Sequence, residues 1–177
     1  HALYVPTAGP GGSPPELFDP ATNTWSVTGT PTNAINYWSQ LVAINGNKAV
    51  VSTGNIANNT LYTYDLGTGQ WTADLALPAT VSGANAVGLY RTAGDKVLVF
   101  GESGAVEEYD AAANTYTAKT AAAGFTFGQH KAVFPISATT LVVSGLSTRR
   151  LYDFSNFTWS ATVPNAALGN SYCPSFT

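Results

Sequence analysis

Charge is scarce in this chain. Lys, Arg, Asp and Glu together make up 10% of 177 residues, against about 25% in an ordinary soluble domain. Net charge is −3, and Arg149-Arg150 is the one pair of adjacent basic residues. The footprint that a phosphate backbone demands is therefore missing, and no nucleic acid partner is expected. No apolar run approaches the roughly 20 residues that a membrane-spanning helix needs, so no membrane is expected either. A single cysteine, Cys173, excludes an internal disulfide and a cysteine-based zinc site. It reads as a small buried hydrophobe, with an intermolecular bridge or a reactive thiol as the other readings. Histidine occurs only as His1 and His130. Nothing has the length and period of a long amphipathic helix, and neither a Gly-rich phosphate loop nor a Ser-His-Asp pattern stands out.

The surface must then be built from Thr, Asn, Ser, Gly and exposed Ala, a style that suits a secreted protein. The chain begins at His1 without Met, as a processed mature form would. Asn58-Asn59-Thr60 and Asn156-Phe157-Thr158 are glycosylation sequons, at Asn58 and Asn156, in keeping with secretion.

What is present is a repeat. Leu17-Phe18-Asp19 leads to Trp25, Tyr62-Thr63-Tyr64-Asp65 to Trp71, Glu108-Tyr109-Asp110 to Tyr116, and Leu151-Tyr152-Asp153 to Trp159. In each, an aromatic precedes Asp, and Trp or Tyr follows that Asp by six positions. Aspartates at 19, 65, 110 and 153 give a period of about 45 residues, the mark of a propeller or solenoid. Short Val-, Leu-, Thr- and aromatic-rich segments broken by Gly, Asn and Pro predict four strands per repeat. In the second repeat these are Tyr37–Ile44, Lys48–Thr53, Thr60–Tyr64 and Gln70–Ala73, with Asn45-Gly46-Asn47 as a tight turn. The third repeat gives Asn85–Tyr90, Lys96–Phe100, Ala105–Tyr109 and Thr115–Ala118. The fourth gives Gln129–Ile136, Thr140–Ser144, Arg149–Tyr152 and Phe157–Ala161.

A lone four-stranded meander cannot bury both of its faces, so neighbours must stack. The expected fold is all-β: a four-bladed β-propeller of four-stranded antiparallel blades in one domain spanning 1–177. Blade 2 is placed at 37–73, blade 3 at 85–118 and blade 4 at 129–161. Blade 1 is placed at 3–28 plus 170–176, closed by strands from both ends of the chain, which removes exposed sheet edges. The repeated aspartates are expected to accept backbone N–H groups in their turns. The outer aromatics Trp25, Trp71, Tyr116 and Trp159 are expected to pack between blades.

Strand–Gly, then aromatic-Asp, then Trp six later resembles the kelch repeat of the galactose-oxidase-type β-propellers along the whole chain. The departures are single glycines (Gly54, Gly101, Gly145) where kelch blades usually carry a pair, and four blades where such propellers usually have more. Pairing of two chains as a homodimer into a larger ring is the alternative. The copper site of that family's oxidases needs two His and two Tyr, one Tyr crosslinked to Cys. Tyr172-Cys173-Pro174 has a faint likeness to that segment, but the histidines are short, so the copper-oxidase reading is not carried over. A copper site shared by His1 and His130 is disfavoured as well, because the fold puts them at opposite ends of the blades. No cofactor or metal is expected. Glu107 and Glu108 are adjacent on a strand and so face opposite ways, and no catalytic residue is assigned.

Loops between second and third strands and between blades fall on one face, and the short hairpin turns on the other. At the mouth of that long-loop face each innermost strand begins with an amide: Asn36, Asn85, Gln129 beside His130, and Asn170. Trp38 and Tyr172 stand close by. Amides donate and accept at once, and beside aromatic faces they suit neutral polyhydroxylated ligands. They are equally suited to bonding one another, backbone or trapped water where strands converge. Non-enzymatic carbohydrate binding is the expected function, with a protein-interaction or structural module, marked by an exposed apolar patch, as the other class.

Overall fold

The computed structural model describes residues 2–5, 14–32, 39–53, 60–82, 87–123, 132–145, 148–160 and 163–164. Four antiparallel sheets follow one another along the chain. The first is β1 (Ala2–Tyr4), β2 (Glu16–Asp19) and β3 (Thr24–Val27). The second is β4 (Leu41–Ile44), β5 (Lys48–Ser52), β6 (Thr60–Asp65) and β7 (Gln70–Ala76). A single helical turn, α1 (Ala79–Ser82), leads to β8 (Gly88–Arg91), β9 (Lys96–Phe100), β10 (Val106–Asp110) and β11 (Thr115–Lys119). The last sheet is β12 (Ala132–Pro135), β13 (Thr140–Ser144), β14 (Thr148–Asp153) and β15 (Thr158–Trp159), with β16 (Val163–Pro164) also on β14. Each is a meander in sequence order, the architecture of a four-bladed β-propeller. The pairing of segment 170–176 with the first blade lies outside the described residues.

The hairpins explain the repeated motif. Asp19, Asp65, Asp110 and Asp153 each accept, through Oδ1, a backbone N–H two residues on, at 2.8–3.1 Å. This is the expected role, and it closes the turn between the two outer strands. Four residues after each Asp stands a positive φ: Asn23, Gly69, Asn114 and Phe157. Asn and Gly tolerate this region, and Phe does not do so readily. Phe157 keeps it while Lys119 Nζ of the third blade lies 4.1 Å from its ring centroid, a cation–π contact.

Each blade has a leading face, which bears the outer aromatic, and a trailing face. Strand alternation sorts them. The leading face of the third blade (Leu89, Val97, Val99, Tyr109) packs on the trailing face of the second (Ile44, Val50, Leu61), with Leu77, Val81 and Val87 of the linker completing the cluster. The leading face of the fourth (Leu141, Val143, Tyr152) packs on the trailing face of the third (Leu98, Phe100, Val106). Phe100 meets Tyr152 edge-on at 5.3 Å and Trp159 at 5.9 Å, the geometry that ring quadrupoles favour. Gly101 lets α1 close over the seam between the second and third blades: a Cβ there would stand 2.9 Å from Val81 Cα.

Two seams share a further device. Trp71 Nε1 donates to the carbonyl of Gly29, and Trp159 Nε1 donates to that of Thr120. Gly29 and Thr120 each lie four residues past the outer aromatic of the preceding blade, Trp25 and Tyr116. The indole thus stitches its blade to the exit of the one before. Trp25 departs from the expectation that all four outer aromatics pack between blades: it is 55% exposed. It touches only rings of its own blade in the described contacts, Phe18 at 5.0 Å and Tyr4 at 6.1 Å.

Candidate functional site

Where the trailing face of the second blade meets the hairpins of the third, a cleft of about 390 Å³ opens, lined by Ile44, Lys48, Thr63, Thr72, Asp74, Asp95 and Ala111. That is within the usual range for small-molecule pockets. Lys48, Thr63, Thr72 and Asp74 reach it because alternate residues of β5, β6 and β7 share one face. Asp95 arrives from the β8–β9 turn, where Gly94 takes a positive φ.

Asp74 is the central group. Half-buried, it accepts a hydrogen bond from Thr63 Oγ1 at 2.8 Å. Burial pushes its carboxyl above the ordinary carboxylate value, against the opposing pull of the Thr63 and Tyr109 hydroxyls and the Lys48 charge. Tyr109, whose hydroxyl donates to Asn114 Oδ1 at 3.1 Å, is held well above the usual phenol range, first by burial and then by the Asp74 charge. Tyr116 is raised by burial first and by Asp74 second. Asp95 Oδ1 accepts the backbone N–H of Asn45 at 3.2 Å. Arg91 bonds both Asn45 and, at 3.0 Å through Nε, the Gly94 carbonyl. The hairpins of the two blades are thereby clasped, and the cleft is framed by a polar rim. A carboxylate among hydroxyls and one ammonium accepts ligand O–H groups well.

A second polar group is buried on the opposite, long-loop side of the same seam. Glu107 accepts from Thr80 Oγ1 of α1 at 2.8 Å, and Ser103 Oγ donates to the Thr80 carbonyl at 3.2 Å. Glu108 points the other way, as alternation requires, to Lys96 at 3.4 Å and Lys119 at 3.3 Å. This leaves Glu107 engaged in holding α1 on the blade.

The ligand residues expected from the sequence, Asn36, Trp38, Asn85, Gln129, His130, Asn170 and Tyr172, lie outside the described residues, as do Asn58, His1 and Cys173. Asn156 lies in the exposed β14–β15 turn, its amide 3.4 Å from Asp153 Oδ2. Among the described residues no group of three or more His, Cys, Asp or Glu is placed to hold a metal ion, and no helix is long and apolar enough to cross a membrane. The Asp74 cleft was not read from the sequence. Its carboxylates are 21 positions apart, one at the end of an outer strand and one in an inner hairpin, and only the stacking of two blades joins them.

No family model matches the chain, and no curated protein matches its sequence. Its backbone does have solved likenesses. The structure of YjhT, a β-propeller-type protein, superposes with a TM-score of 0.61 over 82% of this chain, at 15% identity. The chain spans 60% of YjhT. At that identity the likeness carries the fold and no activity. Together with four consecutive antiparallel meanders stacked leading face to trailing face, it makes this chain a four-bladed β-propeller fold.

Proposed function

We propose that this chain is a secreted, kelch-type, non-enzymatic propeller that binds carbohydrate or another neutral hydroxyl-rich ligand at the mouth of its long-loop face. The observation that carries the reading is the partition of its connections. Among the described residues, β3, β7 and β11 end, and β4, β8 and β12 begin, at one end of the stack, while the Asp-containing hairpins and tight turns occupy the other. Binding groups in such scaffolds concentrate on the longer connections. The amides Asn36, Asn85, Gln129 and Asn170, with Trp38, His130 and Tyr172, stand on these connections in the sequence. Amides fix hydroxyl pairs and rings stack on sugar faces, with no charge required. Sequons at Asn58 and Asn156 fit an extracellular protein.

Glycan arrays followed by calorimetry test the reading. A sugar ligand is expected whose affinity falls at least tenfold in Trp38→Ala and Asn36→Ala and is unchanged in Asp74→Asn. The opposite pattern moves the site to the hairpin-side cleft, and no binding to any glycan removes the reading.

A second reading, an assembly or protein-interaction module, is favoured by one observation. Tyr4, Trp25 and Val27 are 53%, 55% and 64% exposed and share one face of the first blade. Exposed apolar patches of this kind mark interaction surfaces.

A further inference from the structure

The cleft between the second and third blades carries its charges at two levels, and register sets them. Lys48 stands in the cross-strand row nearest the hairpin end, with Asp65 and Gln70. Val50, Thr63 and Thr72 form the next row, and Asp74 lies two residues beyond Thr72. Rim and floor are therefore two rows apart, roughly 13 Å along the strands. At the rim, Asp95 and Arg91 are both tied to Asn45, which brings their opposite charges to one point. The Asp65 carboxylate is taken up by its own turn, where it accepts the N–H groups of Gly67 and Thr68. Lys48 is exposed, and among the described residues no carboxylate lies within ion-pair distance of it. The floor has the opposite sign. Burial holds the Asp74 carboxyl above its ordinary value although Thr63, Tyr109 and Lys48 all pull it down. The chain desolvates this carboxylate more than its own groups compensate it.

We propose that this cleft is a second binding site and that it takes a small zwitterion, an amine and a carboxylate joined by a short methylene chain. The ligand ammonium enters first and donates to Asp74. Thr63 supports it, because its hydroxyl spends its proton on Asp74 Oδ2 at 2.8 Å and keeps lone pairs to accept with. The ligand carboxylate stays at the rim and accepts from Lys48. Ile44, Ala111 and Ala112 give the cleft an apolar lining against which methylenes lie. A cation alone would leave Lys48 unanswered, and an anion alone would leave Asp74 unanswered. A zwitterion answers both, and hydrogen bonds between charged groups are the stronger kind. The volume of about 390 Å³ holds such a molecule. The site lies at the hairpin end, away from the long-loop mouth, and the inference does not rest on the carbohydrate reading.

Calorimetry on the full chain tests it, with δ-aminovalerate as the probe. Binding is expected, and pentylamine and valerate, which each keep one charge, are expected to bind at least about tenfold more weakly, the loss of one hydrogen bond to a charged group. Asp74→Asn and Lys48→Gln are each expected to weaken δ-aminovalerate by a similar factor. Lys48→Glu makes both ends of the cleft acidic and is expected to reverse the preference, so that cadaverine, the diamine of the same length, binds better than δ-aminovalerate. Lys48 is exposed, so this variant keeps the test open if Asp74→Asn does not fold. No binding of δ-aminovalerate overturns the inference, as does binding that ignores these substitutions. Equal binding of pentylamine overturns it by removing the role of Lys48. Equal binding of pentanediol overturns it in favour of a neutral hydroxyl ligand. Each of these results leaves glycan binding at Trp38 and Asn36 to be judged by its own variants.

Discussion

The leading faces of the first and fourth blades are built from one motif and end in opposite states. Phe18-Asp19 with Trp25 and Tyr152-Asp153 with Trp159 fold into the same hairpin, with the same Asp-to-N–H bond. In the fourth blade the Trp meets Phe100 and Tyr152 and donates to Thr120 of the blade before. In the first the Trp stands 55% exposed. The motif dictates the turn and offers half an interface. The other half belongs to whichever blade precedes it.

The largest effect that sharpens this contrast comes from truncating the two indoles. Trp159→Ala removes packing on both Phe100 and Tyr152 together with the stitch. It is expected to cost about 3 kcal/mol, the low end for a buried aromatic. Trp25→Ala loses, among the described contacts, ring packing within its own blade and is expected to cost less than about 1 kcal/mol. Urea melts of the two variants give both numbers, and equal losses would erase the distinction between the seams.

Next is Gly101→Ala at the seam between blades two and three. The added Cβ meets the Val81 backbone at 2.9 Å, so α1 has to move, at an expected cost of about 1–3 kcal/mol. A neutral result would mean that α1 is not fixed to the blade.

The smallest effect is a pH dependence at the same seam. Because the Asp74 carboxyl is raised by burial, the folded state holds its proton more tightly than the unfolded chain. Its contribution to stability is full below the ordinary carboxylate value of 3.8 and is lost as pH rises through the raised one. Asp74→Asn is expected to flatten that decline in melts taken across this window. An unchanged slope would mean that the carboxyl is hydrated.

Much of the fold was legible because it is local. Lys96–Phe100 and Thr140–Ser144 match the predicted strands residue for residue, since Gly or a polar turn bounds an unbroken apolar run. The four aspartates behave as turn chemistry requires. The strands β7 and β14 run longer than expected, to Ala76 and Asp153, because sheet pairing carries on past the apolar residues that announce it. The turn α1 was missed: Ala-Thr-Val-Ser lacks a helical period, and what holds it is tertiary, Val81 on Gly101 and Thr80 on Glu107. The Asp74 cleft and the bare Trp25 face were invisible for the same reason. Each depends on which blade lies alongside, and a repeat that reads the same in every unit is silent on that.

Phe157 gives this a practical edge. Its backbone occupies a conformation that the other three hairpins assign to Asn or Gly, while its ring sits beneath the ammonium of Lys119 from the neighbouring unit. Units that look exchangeable in an alignment are therefore keyed to their position. Grafting the Asn-bearing loop of another unit onto this one would relax the main chain and delete an aromatic platform at once. Recombination that shuffles or duplicates these modules would have to carry adjacent modules together.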